Sequence, residues 1–334
     1  MRRLGLVIAA TAVITATASA HHSPAAFDLS SQITIQGKVT RLDWTNPHVY
    51  IYVNGQSVSG RPAEWMIETD PVPILTRSGW RRELLTVGSV VTVRANPDRN
   101  LQRNHAILVS IALGNGVVWT PRAAAATSTA RATSVAGVWN ALRGFAQRRV
   151  GAFKPTAKGL AAMKTYTEAS NPVANCVPYA SPFLPNLPYL NEIETRKDSV
   201  IIRSEFLNVD RIVYMDGRPH PKDGARTNQG HSIGRWEGGV LVVDTTLFAD
   251  HILGNYTGGG RGEQRELPSG PRKHVMERYQ LSEDKTRLLI SAVVEDPDYL
   301  TEPLTMSTEW DYAPQQQLLR FGCDRNQAGR YLFR

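Results

Sequence analysis

Cysteine is nearly absent: the 334 residues hold two, Cys176 and Cys323. Two thiolates alone cannot build a zinc ribbon or an iron–sulfur centre, so those classes fall away. Also missing are a G-x-S-x-G elbow, a P-loop and an H-E-x-x-H pair, the usual marks of serine hydrolases, nucleotide hydrolases and zinc proteases. The glycines of "YTGGGRGE" (256–263) follow no strand–helix unit, so they are poor phosphate cradles. After the first twenty residues no apolar run approaches the ~18 residues that a membrane-crossing helix needs. Basic residues do not cluster. The chain carries a formal +8, yet past its start the only Arg-Arg doublets are Arg81-Arg82 and Arg148-Arg149. That pattern suggests loose attraction to anionic envelope surfaces and argues against a nucleic-acid groove.

What is present begins with "MRRLGLVIAATAVITATASA". Two arginines, a short apolar run and a small-residue A-x-A end describe a secretory signal over residues 1–20, with cleavage after Ala20. A periplasmic or secreted protein is expected. In that compartment one cysteine pair reads as a Cys176–Cys323 disulfide. The loop it closes would be worth up to ~5 kcal/mol in the chain-entropy model. Two free buried thiols are the rival reading.

Length suggests two domains after the signal. Residues 120–135 are almost all Ala, Thr, Ser and Arg and read as a linker. Residues 21–119 hold five strand-like runs: "QITIQGKVTRLDW", "HVYIYVNG", "AEWMIET", "SVVTVRA" and "HAILVSIAL". Gly37 sits mid-run like a bulge, and Asn54-Gly55 is a hairpin-turn signal. A short crossing, "TRSGWRRELLTVGS", interrupts them after the third. Five strands so arranged predict a small OB-like barrel, with a small sandwich as the plainer alternative. Residues 136–334 open on one amphipathic helix in "TAKGLAAMKTYTEA", then a segment with four prolines in fourteen residues, "VPYASPFLPNLPYL". Eight strand-like runs follow, from "SVIIRSEF" to "QQLLRFG". The fold class expected is all-β: the five-stranded barrel, then a roughly eight-stranded antiparallel, lipocalin-like barrel with one short helix. The long Gly-rich loop "GNYTGGGRGEQRELPSGPRK" could flap over its mouth.

"HHSPAAFD", "WTNPHVYIYV" and the Gly79-Trp80 segment resemble an exported bacterial domain of unknown function, over roughly residues 21–113. The second domain is similar to another uncharacterised exported bacterial family through "NPVANC", "YMDGRPHP", "GHSIGRWEGGVLVVDTT" and "EDPDYLTEP", with the late Cys323. Where that family carries a polar Asp-Thr pair after Trp-Glu-Gly, this chain has Gly239-Val240. Neither resemblance implies an activity.

Two constellations could carry chemistry. A mature chain starting at His21 can chelate through its amine and ring, and imidazole suits copper or zinc; His22 and His48 would complete the set. The plainer reading is a solvated chain start, with His48 capping a turn. In the second domain, "DGRPHP" offers His220 and "GHSIGRWEG" offers His231, Arg235 and Trp236, while Asp244 stands in the apolar strand "VVDTT". A carboxylate and histidines inside a barrel would shift each other's pKa and act as acid and base, so His220, His231 and Asp244 are the catalytic candidates. Arg235, Trp236 (an apolar wall), His251 and Glu277 are the candidate ligand contacts. The plainer reading makes Asp244 the structural partner of Arg235. Two functions stay open. One is a small-molecule-binding barrel, extending to non-redox lyase, isomerase or hydrolase chemistry. The other is a non-enzymatic copper- or zinc-binding protein. Ligand identity and oligomeric state are not legible.

Overall fold

The alternation that marks residues 33–43 as a strand is realised in β1 (Ile33–Asp43), whose Ile35 and Val39 turn inward. The computed structural model describes residues 27–122, 129–184, 187–256 and 266–329. β1 pairs with β2 (Tyr50–Gln56), β2 with β3 (Pro62–Glu68), and β1 also with β4 (Val90–Pro97), which pairs with β5 (His105–Leu113). A parallel contact of β3 with β5 closes the five strands into a barrel of the OB order. A short β6 (Val118–Trp119) extends the β5 edge. After the third strand comes α1 (Val72–Arg77); the crossing expected over residues 76–89 holds only the end of that helix and a single 3-10 turn. Ile51, Val53, Trp65, Ile67, Val93 and Ile111 fill the barrel, with Leu75 and Trp80 plugging one end.

Two glycines do other work than expected. Gly37 is not the bulge, which falls between Val39 and Arg41. A Cβ on Gly37 would lie 1.9 Å from the Asn54 carbonyl oxygen, so the curled β1 presses on β2 there. Nor is Asn54-Gly55 a turn: both residues are paired within the β2–β3 ladder, and the chain reverses over residues 57–61. Gly55 permits close contact with Ile35 and Gln36.

The second barrel follows. In chain order come β7 (Gly137–Asn140), α2 (Leu142–Gln147), β8 (Arg149–Val150) and α3 (Ala157–Thr165). α3 is the amphipathic helix, N-capped by Thr156, whose hydroxyl accepts from the Gly159 amide. Then come β9 (Leu190–Thr195), β10 (Ser199–Ser204), β11 (Val209–Tyr214), β12 (His231–Glu237), β13 (Val240–Thr246), β14 (His251–Tyr256), β15 (Leu267–Ser269), β16 (His274–Leu281), β17 (Arg287–Glu295), β18 (Leu304–Tyr312) and α4 (Arg325–Ala328). Nine strands close a ring in the order β7-β9-β10-β11-β12-β13-β16-β17-β18, with β8 added beside β18 and β14–β15 forming a separate ribbon. The all-β, two-barrel class is therefore what the chain adopts. The count is nine because β7 and β9, flanking the proline-rich segment, join the ring, whereas residues 316–322 form no strand. The meander breaks once: β11 and β12 run parallel, because residues 215–230 cross over the outside instead of turning back.

The ring is filled, not hollow. Trp139, Tyr279, Ile290 and Trp310 occupy its centre with Leu241 and Val243. Arg211 lies among them, donating to Ser232 and Thr245 and paired with Glu277, which also accepts from the Tyr279 hydroxyl. Beside Glu277, Ile290 and Thr308 a cavity of about 10 Å³ remains, room for one water at most.

The two barrels are fastened to each other. Cys176 and Cys323 form a disulfide with Cα atoms 6.0 Å apart. Cys323 bridges to Asn46 of the small barrel, and the Asp324 amide donates to the Asn46 carbonyl at 3.1 Å. Ile74 of α1 packs into a cluster with Val173, Leu184, Tyr189, Phe206 and Phe321. Behind it Arg77 grips Glu205 through two bonds of 2.7 and 2.5 Å. The Glu205 side chain is 0 % exposed and also accepts from the amides of Leu190 and Leu319. The Ala-rich stretch is not all spacer either: Ala132 and Val135 are buried in the larger barrel's core.

Arg77→Met would leave the Glu205 carboxylate buried without its cation, which should cost ~3–5 kcal/mol by urea unfolding. Arg77→Met/Glu205→Met should recover part of that loss. A loss below about 1 kcal/mol for the single variant would show that this ion pair does not join the barrels.

Candidate functional site

A cavity of about 560 Å³ lies between the barrels. One wall is the small barrel: Phe27, His48, Glu68 and Asp70, with Ile107 from β5. The facing wall is the proline-rich segment, which is not extended as its prolines suggest but turns over residues 180–184 and brings Tyr179, Leu187 and Tyr189 to the cleft. Arg122 reaches in from the start of the Ala-rich stretch and clamps Asp70 with two bonds, 2.8 and 2.6 Å. Burial draws the Arg122 guanidinium down, but Asp70 more than compensates and leaves it above its ordinary value. Burial and the charges of Asp70 and Glu205 hold the Tyr189 phenol far above its usual range, so it stays a donor.

Glu68 stands between two histidines. His48 Nδ1 lies 3.3 Å from one carboxylate oxygen and donates to the Thr69 carbonyl at 3.1 Å. His105 Nε2 lies 3.3 Å from the other oxygen, without the alignment of a good hydrogen bond. Its Nδ1 meets Asp98 at 3.3 Å, and Phe27 packs edge-on against the ring. Burial pulls the His105 pKa down, but Asp98 and Glu68 outweigh it and the net shift is upward.

The three catalytic candidates do meet, in a different place from the one expected. Asp244 faces the outside of the larger barrel. Its strand neighbours Leu241, Val243 and Thr245 face in, and both faces of β13 are apolar because Val242 on the outer side is itself only 1 % exposed. His220, carried by the crossing segment, folds over that face. Its Nε2 meets Asp244 at 3.2 Å and its Nδ1 meets His231 Nδ1 at 2.8 Å. Asp244 can only accept, so His220 carries its proton on Nε2, and His231 must then donate from Nδ1 when both rings are neutral. His274, absent from the sequence-derived set, also donates to Asp244 at 2.9 Å and meets Glu295 at 3.0 Å. Burial lowers His274, but Glu295 and Asp244 raise it further than that; burial and then the neighbouring His220 and Arg218 charges lower His231. None of these residues lines the cleft.

The other candidates separate. Arg235 pairs with Glu237, not with Asp244, and Trp236 is 45 % exposed at the hairpin end, so it is no apolar wall. Glu277 is the barrel-core partner of Arg211. His251 is buried under the proline-rich segment, donating to the Pro178 carbonyl at 3.1 Å and accepting from the Leu253 amide. Lys273 beside it is buried too, bonded to the Ser181 and Gly254 carbonyls; burial depresses it to about 7, against the pull of Asp296 and Glu277. His21 and His22 lie outside the described residues. Among the described residues no group of three or more His, Cys, Asp or Glu is arranged to hold a metal ion. No helix of the described residues is long and apolar enough to cross a membrane.

Residues 9–106 match a family of unknown function, DUF6152. No curated protein matches the chain. Among solved structures, a mitochondrial single-stranded DNA-binding protein from S. cerevisiae is similar at 16 % identity over 25 % of this chain and 94 % of its own. The TM-score is 0.19, a likeness that carries no argument.

Burial holds the His251 pKa down at about 4 from an ordinary 6.5, against the Pro178 hydrogen bond and with help from Lys273. Between those values the unfolded chain binds the proton and the folded one does not. His251 therefore contributes stability above pH 6.5, and this is lost as pH falls toward 4, by about 3 kcal/mol in all. His105 and His274 act with the opposite sign, so the comparison is with a variant. His251→Gln should flatten the acid slope of urea-derived stability; an unchanged slope would refute the assignment.

Proposed function

We propose that the protein binds a small organic molecule in the cleft between its barrels and that the larger barrel is the platform, not the container. The observation that carries this is the cleft: about 560 Å³, within the roughly 300–1,000 Å³ of small-molecule sites, apolar and aromatic with few convergent polar groups, and placed at a domain interface. A ring centre filled by Trp139, Tyr279 and Trp310 supports the same reading. The His231–His220–Asp244 chain has the order of an acid–base relay, but it lies on an outer face away from the cleft, so no chemical step is assigned to the bound molecule. A disulfide is compatible with export to an oxidising compartment.

The test uses Nile red, an uncharged apolar dye. Its emission should rise and saturate near one equivalent on the wild-type protein, and Ile107→Trp, which fills the cleft from β5, should abolish the rise while keeping the circular dichroism spectrum. Equal binding by both proteins would place the dye elsewhere and remove the cleft reading.

A metal reading has one specific support. The Thr69 carbonyl takes the Nδ1 proton of His48, the arrangement that leaves Nε2 as the coordinating nitrogen. Phe27, five positions after His22, lines the same cleft as His48, and five residues span at most about 17 Å. A chain processed to start at His21 would then bring amine and imidazoles to one copper or zinc ion. Copper should bind the processed protein more tightly than a Met-extended form or His48→Ala, and less tightly below about pH 6. Three equal affinities would end this reading.

A further inference from the structure

We infer that the cleft selects an uncharged ligand: an aromatic or alicyclic molecule presenting a carbonyl or hydroxyl oxygen to Arg122 and Tyr189. This inference rests on the cleft being the ligand site and specifies what it takes.

It follows from the charges around the cleft. Of its lining side chains, Glu68, Asp70 and Arg122 are formally charged, and His48 can become so. Asp70 is cancelled by the two-bond grip of Arg122. Glu68 is faced by His105, whose imidazolium is favoured by its two carboxylate neighbours. The second of those, Asp98, is met in turn by Arg103 at 3.8 Å. Behind the aromatic wall Glu205 is matched by Arg77. Each carboxylate in or behind the wall thus lies against a basic side chain, Arg122, His105, Arg103 or Arg77. A charged ligand would leave water without meeting a counter-charge, and an unpaired charge in an apolar wall is costly. A neutral ring system suffers no such loss and gains contact with Phe27, Ile107, Tyr179 and Tyr189.

The polar handle follows from what the pairs leave over. Asp70 takes Nε and Nη2 of Arg122, and the remaining nitrogen, Nη1, is still a donor. Tyr189 lines the same cleft as Arg122 and its phenol keeps its proton, so it is a second donor there. Two donors beside a neutralised ion pair suit a ketone, ether or hydroxyl oxygen better than an ammonium group. A carboxylate accepting there would be set beside the Asp70 carboxylate that already holds Arg122, and the like charges would repel.

Three probes of one ring system separate the possibilities: 2-acetylnaphthalene (neutral), 2-naphthoate (anion) and 2-naphthylmethylammonium (cation). Each is titrated against the full chain at pH 7.5 by displacement of Nile red. The ketone should bind at least tenfold tighter than either ion. Asp70→Asn leaves Arg122 unpaired and should narrow or reverse the gap between ketone and naphthoate by about tenfold. Either ion matching the ketone on the wild-type protein would overturn the inference, as would an unchanged ranking in Asp70→Asn. Should Nile red bind and none of the three displace it, the ligand class is wrong and the cleft reading stands. Should Nile red itself fail to bind, the cleft reading fails and this inference with it.

Discussion

Glu205 is the residue on which the arrangement of the two barrels turns. Its carboxylate is out of water, yet it accepts from a guanidinium of the small barrel, from the amide that opens β9 and from an amide of the C-terminal segment. A buried carboxylate is tolerated only when its lone pairs are met in this way, so three separate stretches of chain are obliged to converge on it. The aromatic cluster of Tyr189, Phe206 and Phe321 forms around that point, with Phe206 and Phe321 centroids 5.0 Å apart in an edge-on pair. The disulfide then holds the C-terminal segment where Leu319 and Asp324 can reach their partners.

The cleft is a consequence of that junction. Two convex barrels joined along one side cannot close against each other everywhere, and the space left beside the ion pair and the aromatic cluster is what a ligand would occupy. The larger barrel resembles a ligand carrier in outline only. Its interior went to Trp139, Tyr279 and Trp310, and to a polar network in which Glu277 accepts from both Arg211 and Tyr279. A carboxylate and guanidinium at that depth stabilise each other only when paired, and the pairing consumes the groups that could have greeted a ligand.

Much of the architecture was legible in residue order. Apolar patterning located the five strands of the small barrel and seven of the nine in the larger ring, and the lone cysteine pair was a disulfide. The errors have physical causes. Asn-Gly at 54–55 signals a reversal, whereas tertiary contact with Ile35 is what demands a residue without a side chain at Gly55. Residues 316–322 have a strand's composition, but their amides are taken by Glu205 and Asn208 side chains, not by a neighbouring strand. His274 opens a strand on the outward parity, and that much was legible. Its link to Asp244 needed the β13–β16 register, which no local pattern contains.

By itself the sequence determined the class: two β-barrels, one amphipathic helix, a disulfide, and a grouping of His220, His231 and Asp244. Alternation, helical spacing and redox chemistry act over a few residues or on one residue type, so they survive in the order of letters. Only the tertiary structure decided that Asp244 faces out and that the cavity lies between barrels instead of within one. It also decided that Glu68, Asp70 and Arg122, unremarked in sequence, line that cavity. β13 is apolar on both faces, so its pattern could not say which was inward. The cleft is made by residues 27, 48, 68, 122 and 189, and what brings them together is closure of one barrel and burial of one ion pair.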